Sequence, residues 1–195
     1  MTQATHTPQL IEASGRRGAL APLLTVVAVG AALSVALGVY GQTHPPTGET
    51  IVSFGFPAVL PMKAWFATGA FILALVQAAS AAWMWDRLPG AGSAPSWVPS
   101  THRWTGTAAF VVSLPVAYHC LWALGFQSTD ARVLAHSILG CAFYGALATK
   151  LLALRAQRLP GWALPVMGGL LVVLLTGLWL TSALWYFTNT GFPGW

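Results

Sequence analysis

Five stretches of this chain are each apolar for long enough to cross a lipid bilayer, and no other feature limits the fold so severely. They run over residues 19–40, 61–85, 104–126, 131–154 and 162–187. A spanning helix needs about 20 apolar residues. Inside hydrocarbon each segment must satisfy its own backbone hydrogen bonds, which a helix does. Only 7% of the residues are charged and 56% are hydrophobic, where a soluble domain carries about a quarter charged. The expected fold is therefore all-α, an integral membrane bundle of five transmembrane helices over residues 19–189. Residues 1–18 read as a disordered cytoplasmic tail and 190–195 as a short outer tail. Little chain is left for a soluble catalytic domain.

The basic residues fall at the ends of the apolar runs. If the chain zigzags, Arg16, Arg17, Arg87, Arg103, Lys150, Arg155 and Arg158 share one side, and Lys63 and Arg132 lie on the other. Cytoplasmic loops hold the Lys/Arg excess, which sets the amino terminus inside and the carboxyl terminus outside. The expected location is a bacterial cytoplasmic membrane. Because the net charge of +5 is spread over helix ends rather than one face, it does not point to nucleic acid. The first run, although it follows Arg16 and Arg17, is longer than a signal-peptide core and is read as a retained helix.

The loop "GQTHPPTGETIVSFGFPAVLP" is the longest outer connection. The inner loop "RLPGAGSAPSWVPSTHR" is also proline-rich, whereas "QSTD" between the third and fourth runs is very short and predicts a tight antiparallel hairpin. "RLPG" recurs at Arg87 and Arg158, as expected of helix ends on the basic side. Cys120 and Cys141, the only cysteines, differ in depth by about 9 Å in this arrangement and are read as two unpaired, buried small side chains.

Folding the chain at "QSTD" levels two histidines. His119 and His136 each lie 8.5 residues from the midpoint between Gln127 and Ser128. If both runs remain helical, both rings sit on the order of 10 Å below the turn. Ionisable side chains there are costly and mark functional sites by default. Two imidazoles at one depth on neighbouring helices suit the axial positions of one six-coordinate haem b. Arg132, Gly140 and Tyr144 share a stripe with His136. Arg132 and Lys63 are candidate propionate partners, Gly140 leaves room for the macrocycle, and Pro115 kinks the helix before His119. Trp122, Phe126, Phe143 and Tyr144 are candidate pocket residues. A second haem is not expected: His102, beside Arg103 at the inner boundary, would need Met84 or Met167 as its partner. His44 could meet a quinol head or a partner protein, or do neither; His6 belongs to the tail. The competing readings of the pair are a structural tie between helices, a proton relay and a metal other than haem.

The run from His102 to Leu184, "HRWTGTAAFVVSLPVAYHCLWALGFQSTDARVLAHSILG…WLTSAL", resembles a bacterial family of small multi-helix membrane proteins whose activity is unsettled. More distantly it is similar to ferric-reductase-like and cytochrome b-type membrane bundles. That likeness implies bis-histidine haem ligation at His119 and His136, while the absence of a second histidine pair counts against electron transfer across the whole membrane. The expected function is transfer of single electrons between quinol and an extracytoplasmic iron–sulfur or copper protein, as an electron carrier or a subunit of a membrane oxidoreductase. The alternative is a haem-free assembly or interaction subunit with a structural histidine pair.

Overall fold

A computed structural model describes residues 7–49 and 51–192, with side chains from Leu20 onward. The expected tails fall partly outside these residues. Five helices form the structure: α1 (Thr7–Thr43), α2 (Val59–Met84), α3 (Val98–Leu124), α4 (Ala131–Ala153) and α5 (Ala163–Thr190). All five are long and apolar enough to span a membrane, α1 through its segment Leu20–Thr43, and no strand occurs among the described residues. Helix α3 starts six residues before its apolar run (Val98 against Trp104) because Pro99 occupies the first turn, where its missing N–H costs nothing. Helix α4 starts where the side chain of Asp130 accepts the Val133 N–H at 2.9 Å, a typical N-cap.

Two helices change pitch near one end of the bundle. In α3 the segment His119–Leu124 is π-helical, and in α5 the segment Leu180–Leu184 is. Pro115 lacks the N–H that would continue the ladder of α3. In α5 the hydroxyls of Thr181 and Ser182 bond back to carbonyls of the preceding turn, Thr181 to Gly177 at 2.8 Å and Ser182 to Leu178 at 2.6 Å, which loosens the regular ladder. π-bulges occur frequently at functional sites.

Helices α2, α3, α4 and α5 form a four-membered ring open at the α3–α4 edge, where side chains alone meet, with α1 against α4 and the end of α3. The ring closes on Ala70 and Ala74 of α2, Phe143 of α4 and Leu174 and Leu175 of α5. Leu23 and Val26 of α1 join Ala153, Ala163 and Met167 in a second cluster. Large apolar residues such as Leu24, Val35, Val111, Ile138 and Val173 are exposed around the perimeter, as a lipid-facing surface requires.

The tight pairing of α3 with α4 expected from "QSTD" does not occur. The closest partner of α4 is α1. At their crossing a Cβ on Gly30 would collide with the Thr149 hydroxyl and the Gly145 carbonyl, and one on Gly145 with the Ser34 hydroxyl and the Gly30 carbonyl. Gly30/Ser34 and Gly145/Thr149 are small residues four apart on two helices, a pattern that brings membrane helices into backbone contact. With that face of α4 taken by α1, side chains span the wider gap to α3.

The ring ends differ. One end, here the loop end, carries residues 44–49 and 51–58 and the turn 125–130; the other, the basic end, carries Arg87, Arg103, Arg155 and Arg158, with exposed Trp85, Trp97, Trp104 and Trp162. Exposed tryptophans at this level form an interfacial belt. The loop folds back over the end of α3: Gly48 donates to the Ala123 carbonyl at 3.0 Å and Phe126 to that of Gly41 at 2.7 Å. Gly125, at φ 70° and tight against the Gly41 carbonyl, makes that return possible, since a side chain would be strained there.

Candidate functional site

The gap between α3 and α4 is bridged at two levels. Near mid-depth, Ser113 Oγ lies 2.9 Å from Tyr144 Oη, and Tyr144 also reaches the Ser113 carbonyl at 3.2 Å. Seven residues further along α3 and eight back along α4, Cys120 lies in the neighbourhood of the His136 side chain and of Lys63 from α2. The antiparallel register therefore does set residues 119 and 120 level with His136, as the count from "QSTD" predicted. Cys120, which a hundred-degree step from His119 had seemed to aim elsewhere, lies on the side of α3 near His136 and Lys63.

His136 Nδ1 lies 3.1 Å from Thr181 Oγ1 on α5. The Thr181 hydroxyl already donates to the Gly177 carbonyl, so it must accept here, and the proton of His136 is on Nδ1. In the neutral ring Nε2 is then the nitrogen without a proton. His119 is fixed the same way: Nδ1 is 2.8 Å from the Pro115 carbonyl, which can only accept. His119 is 2% exposed, and its Nε2 is buried without a partner. An unmade bond of this kind costs about 1–3 kcal/mol. Both rings thus hold the Nδ1–H tautomer with Nε2 available, the orientation that outer hydrogen bonds impose on metal-ligating histidine.

The two rings do not point into the same space. Val112 packs against Gly69 of α2, and His119, seven residues on, continues that face of α3; Cys120 shares the neighbouring face with Ser113, toward α4. The other expected site residues divide similarly. Lys63 joins the Cys120 cluster. Arg132 donates to the Thr181 carbonyl at 2.8 Å, lies 3.9 Å over the Trp185 ring and 4.0 Å from Asp130, so its charge is already engaged. Gly140 faces Leu178 of α5, and Tyr144 faces Ser113. Trp122 packs against His44 at 4.6 Å, Phe126 against Gly41, and Phe143 lies in the ring core. His44 stacks on Tyr40 at 5.0 Å, with its Nε2 buried and unpartnered. At the basic end His102 Nδ1 is 2.8 Å from Ser80 Oγ, and Gln77 bonds the His102 carbonyl and Thr105. Met167 is packed in a core cluster.

Thr181 and Cys120 were not among the expected site residues. A threonine in an apolar run and a cysteine beside a histidine carry no one-dimensional signal; they gain a role because the π segments aim them at His136.

A family profile matches residues 23–194, which takes in all of this site. The chain belongs to DUF6529, a family of unknown function. No curated protein and no solved structure matches it. DUF6529 membership accounts for the bundle from α1 to α5 as one unit, and carries no haem or reductase assignment with it.

Proposed function

We propose that this protein is a b-type cytochrome-like electron carrier of the bacterial cytoplasmic membrane, with one haem b in the outer half of the ring between α3 and α4. The basic end faces the cytoplasm, in keeping with the Lys/Arg excess there, and the loop end faces outward. Electrons pass singly between quinol and an extracytoplasmic iron–sulfur or copper protein. The observation that carries this reading is the shared tautomer: two intramembrane histidines, each with Nδ1–H bound and an Nε2 lone pair presented, beside two π segments.

The chain's residues fit such a group in part. His136, oriented by Thr181 through Nδ1, would hold such a group from α4. His119 is the ligand that the sequence names on α3, and its unpartnered nitrogen is what a ligand would satisfy. The gap between α3 and α4 is the loosest edge of the ring. Lys63, which lies near Cys120, would be the cation to meet a propionate, since Arg132 is bound to Thr181, Asp130 and Trp185. When bound, the haem would supply the one-electron Fe(III)/Fe(II) couple; the chain would hold it, keep water away and set its potential.

A haem-free assembly or interaction subunit is favoured by one observation: the Ser113–Tyr144 and His136–Thr181 bonds already tie α3, α4 and α5 together. A dithionite-reduced minus oxidised absorption spectrum of the full-length protein, purified from haem-sufficient cells, separates the two. Sharp Soret and alpha bands at about one haem per chain are expected. Their absence would leave the structural reading standing.

A further inference from the structure

At the basic end a groove opens to the lipid between α1 and α5. Leu24 and Val27 line it from α1, Val166 and Leu170 from α5 and Ala146 from α4, with Trp162 at the start of α5, and it encloses about 290 Å³. We propose that this groove holds one acyl chain of an anionic phospholipid, whose phosphate lies against Arg155 and Arg158.

Its dimensions exclude a helix. From Trp162 to Leu170 the groove follows eight residues of α5, about 12 Å, which is less than half of a hydrocarbon core of about 30 Å. It therefore stays within one leaflet. A spanning helix, from a second copy or another protein, needs a seam through the whole depth and is about 10–12 Å across with its side chains, too wide for this volume. An extended hydrocarbon chain fits it. The lining is apolar apart from the Trp162 indole and the Thr149 hydroxyl, which already donates to the Gly145 carbonyl, so the part that enters must be apolar too.

Charge selects the head group. In the connection between α4 and α5, Ala156 and Leu159 pack on the cluster that contains Leu23, Ala163 and Met167, three further residues that line the groove. That packing holds the connection at the groove's mouth. Arg155 and Arg158 flank the two packed residues, are exposed, and have no ion-pair partner among the described residues. Trp162 is also exposed, at the level where indoles anchor to head groups. Basic pockets between membrane helices bind anionic head groups. A neutral lipid or an isoprenoid tail would gain nothing from the two guanidinium groups. The lodged chain would brace α1 beside its crossing with α4 and stabilise the bundle by mass action.

The test uses the full chain in detergent micelles, with phosphatidylglycerol and phosphatidylcholine as probes. Val166→Trp and Leu24→Trp fill the groove from exposed positions on opposite walls, Arg155→Gln with Arg158→Gln removes the charge, and each variant is checked for monodispersity by size exclusion. Native mass spectrometry should show one phosphatidylglycerol retained per wild-type chain, and that lipid should raise the thermal midpoint more than phosphatidylcholine does. The tryptophan variants should lose both effects. The double arginine variant should lose the preference for phosphatidylglycerol, by about fivefold per arginine. Equal retention of the two lipids by the wild type, or wild-type binding in both tryptophan variants, would overturn the proposal. So would a cross-linked dimer in nanodiscs that Val166→Trp abolishes, because the groove would then belong to a second copy of the chain.

Discussion

Helix α4 meets two neighbours in two ways. Toward α1 it presents Gly145 and Thr149, and the backbones touch across Gly30 and Ser34. Toward α3 it presents Tyr144 and His136, whose long polar side chains hold the helices apart. In lipid the hydrophobic effect drives neither contact, so association rests on close packing or on polar bonds. The seam with α1 uses the first and the seam with α3 the second. Close packing leaves no volume for a ligand, whereas a polar seam has lone pairs to offer. Chemistry is therefore to be sought on the α3 side of α4, and the α1 side is structural.

The largest effect should come from closing the tight seam. Gly145→Leu puts a side chain into the Gly30 carbonyl and the Ser34 hydroxyl. Because one obstacle is backbone, trimming Ser34 to Ala should not restore the fold. Overpacking typically costs about 1–3 kcal/mol, occasionally more, and here no rotamer relieves it. The expected result is loss of most monodisperse protein on size exclusion, with or without Ser34→Ala. A normal yield from the single variant would show that α1 does not hold α4 by this crossing.

Thr181→Val comes next and tests the polar seam. The change keeps the shape and removes the oxygen that accepts from His136 Nδ1. An unpaired N–H should cost about 1–3 kcal/mol, visible as a lowered thermal midpoint, and Thr181→Ser should restore most of it. In haem-loaded protein the same variant should broaden the low-spin signal, because the ring loses its orienting bond. If stability and spectrum both stay at the wild-type level, Thr181 does not orient His136.

Much of this arrangement can be read from one dimension, and the limits have physical causes. The five helices follow from the apolar runs, and the level of His136 with residues 119 and 120 follows from counting outward from "QSTD". Which face of α3 is turned toward α4 does not follow, because it depends on how α3 is rotated about its axis. That rotation is set by Gly69 and Lys63 of α2, by Tyr144 of α4 and by a π segment that shifts the helical phase. Thr181 escaped notice for the same reason. Arg132 lies one turn from His136 as counted, yet its charge is taken by neighbouring Asp130 and by Trp185 and a carbonyl of α5, which are distant in sequence. The Gly30/Gly145 crossing left its spacing in both helices, but small residues four apart are common in apolar runs, and only the pairing reveals which of them touch.

The smallest effect belongs to the polar seam away from His136. Tyr144→Phe removes the hydroxyl that reaches Ser113 Oγ and the Ser113 carbonyl and leaves the ring packed on Phe143. Hydrogen bonds between membrane helices average about 0.6 kcal/mol by double-mutant cycles. Tyr144→Phe should therefore lower stability by about that much in reversible denaturant unfolding in mixed micelles, and Ser113→Ala in the same background should add little. A near-additive pair would mean that Ser113 and Tyr144 do not bond across the gap. The contrast between the two seams of α4 would then lose its one hydrogen-bonded contact between α3 and α4 among the described residues, and the polar contacts of α4 would run to α5 through His136 and Thr181.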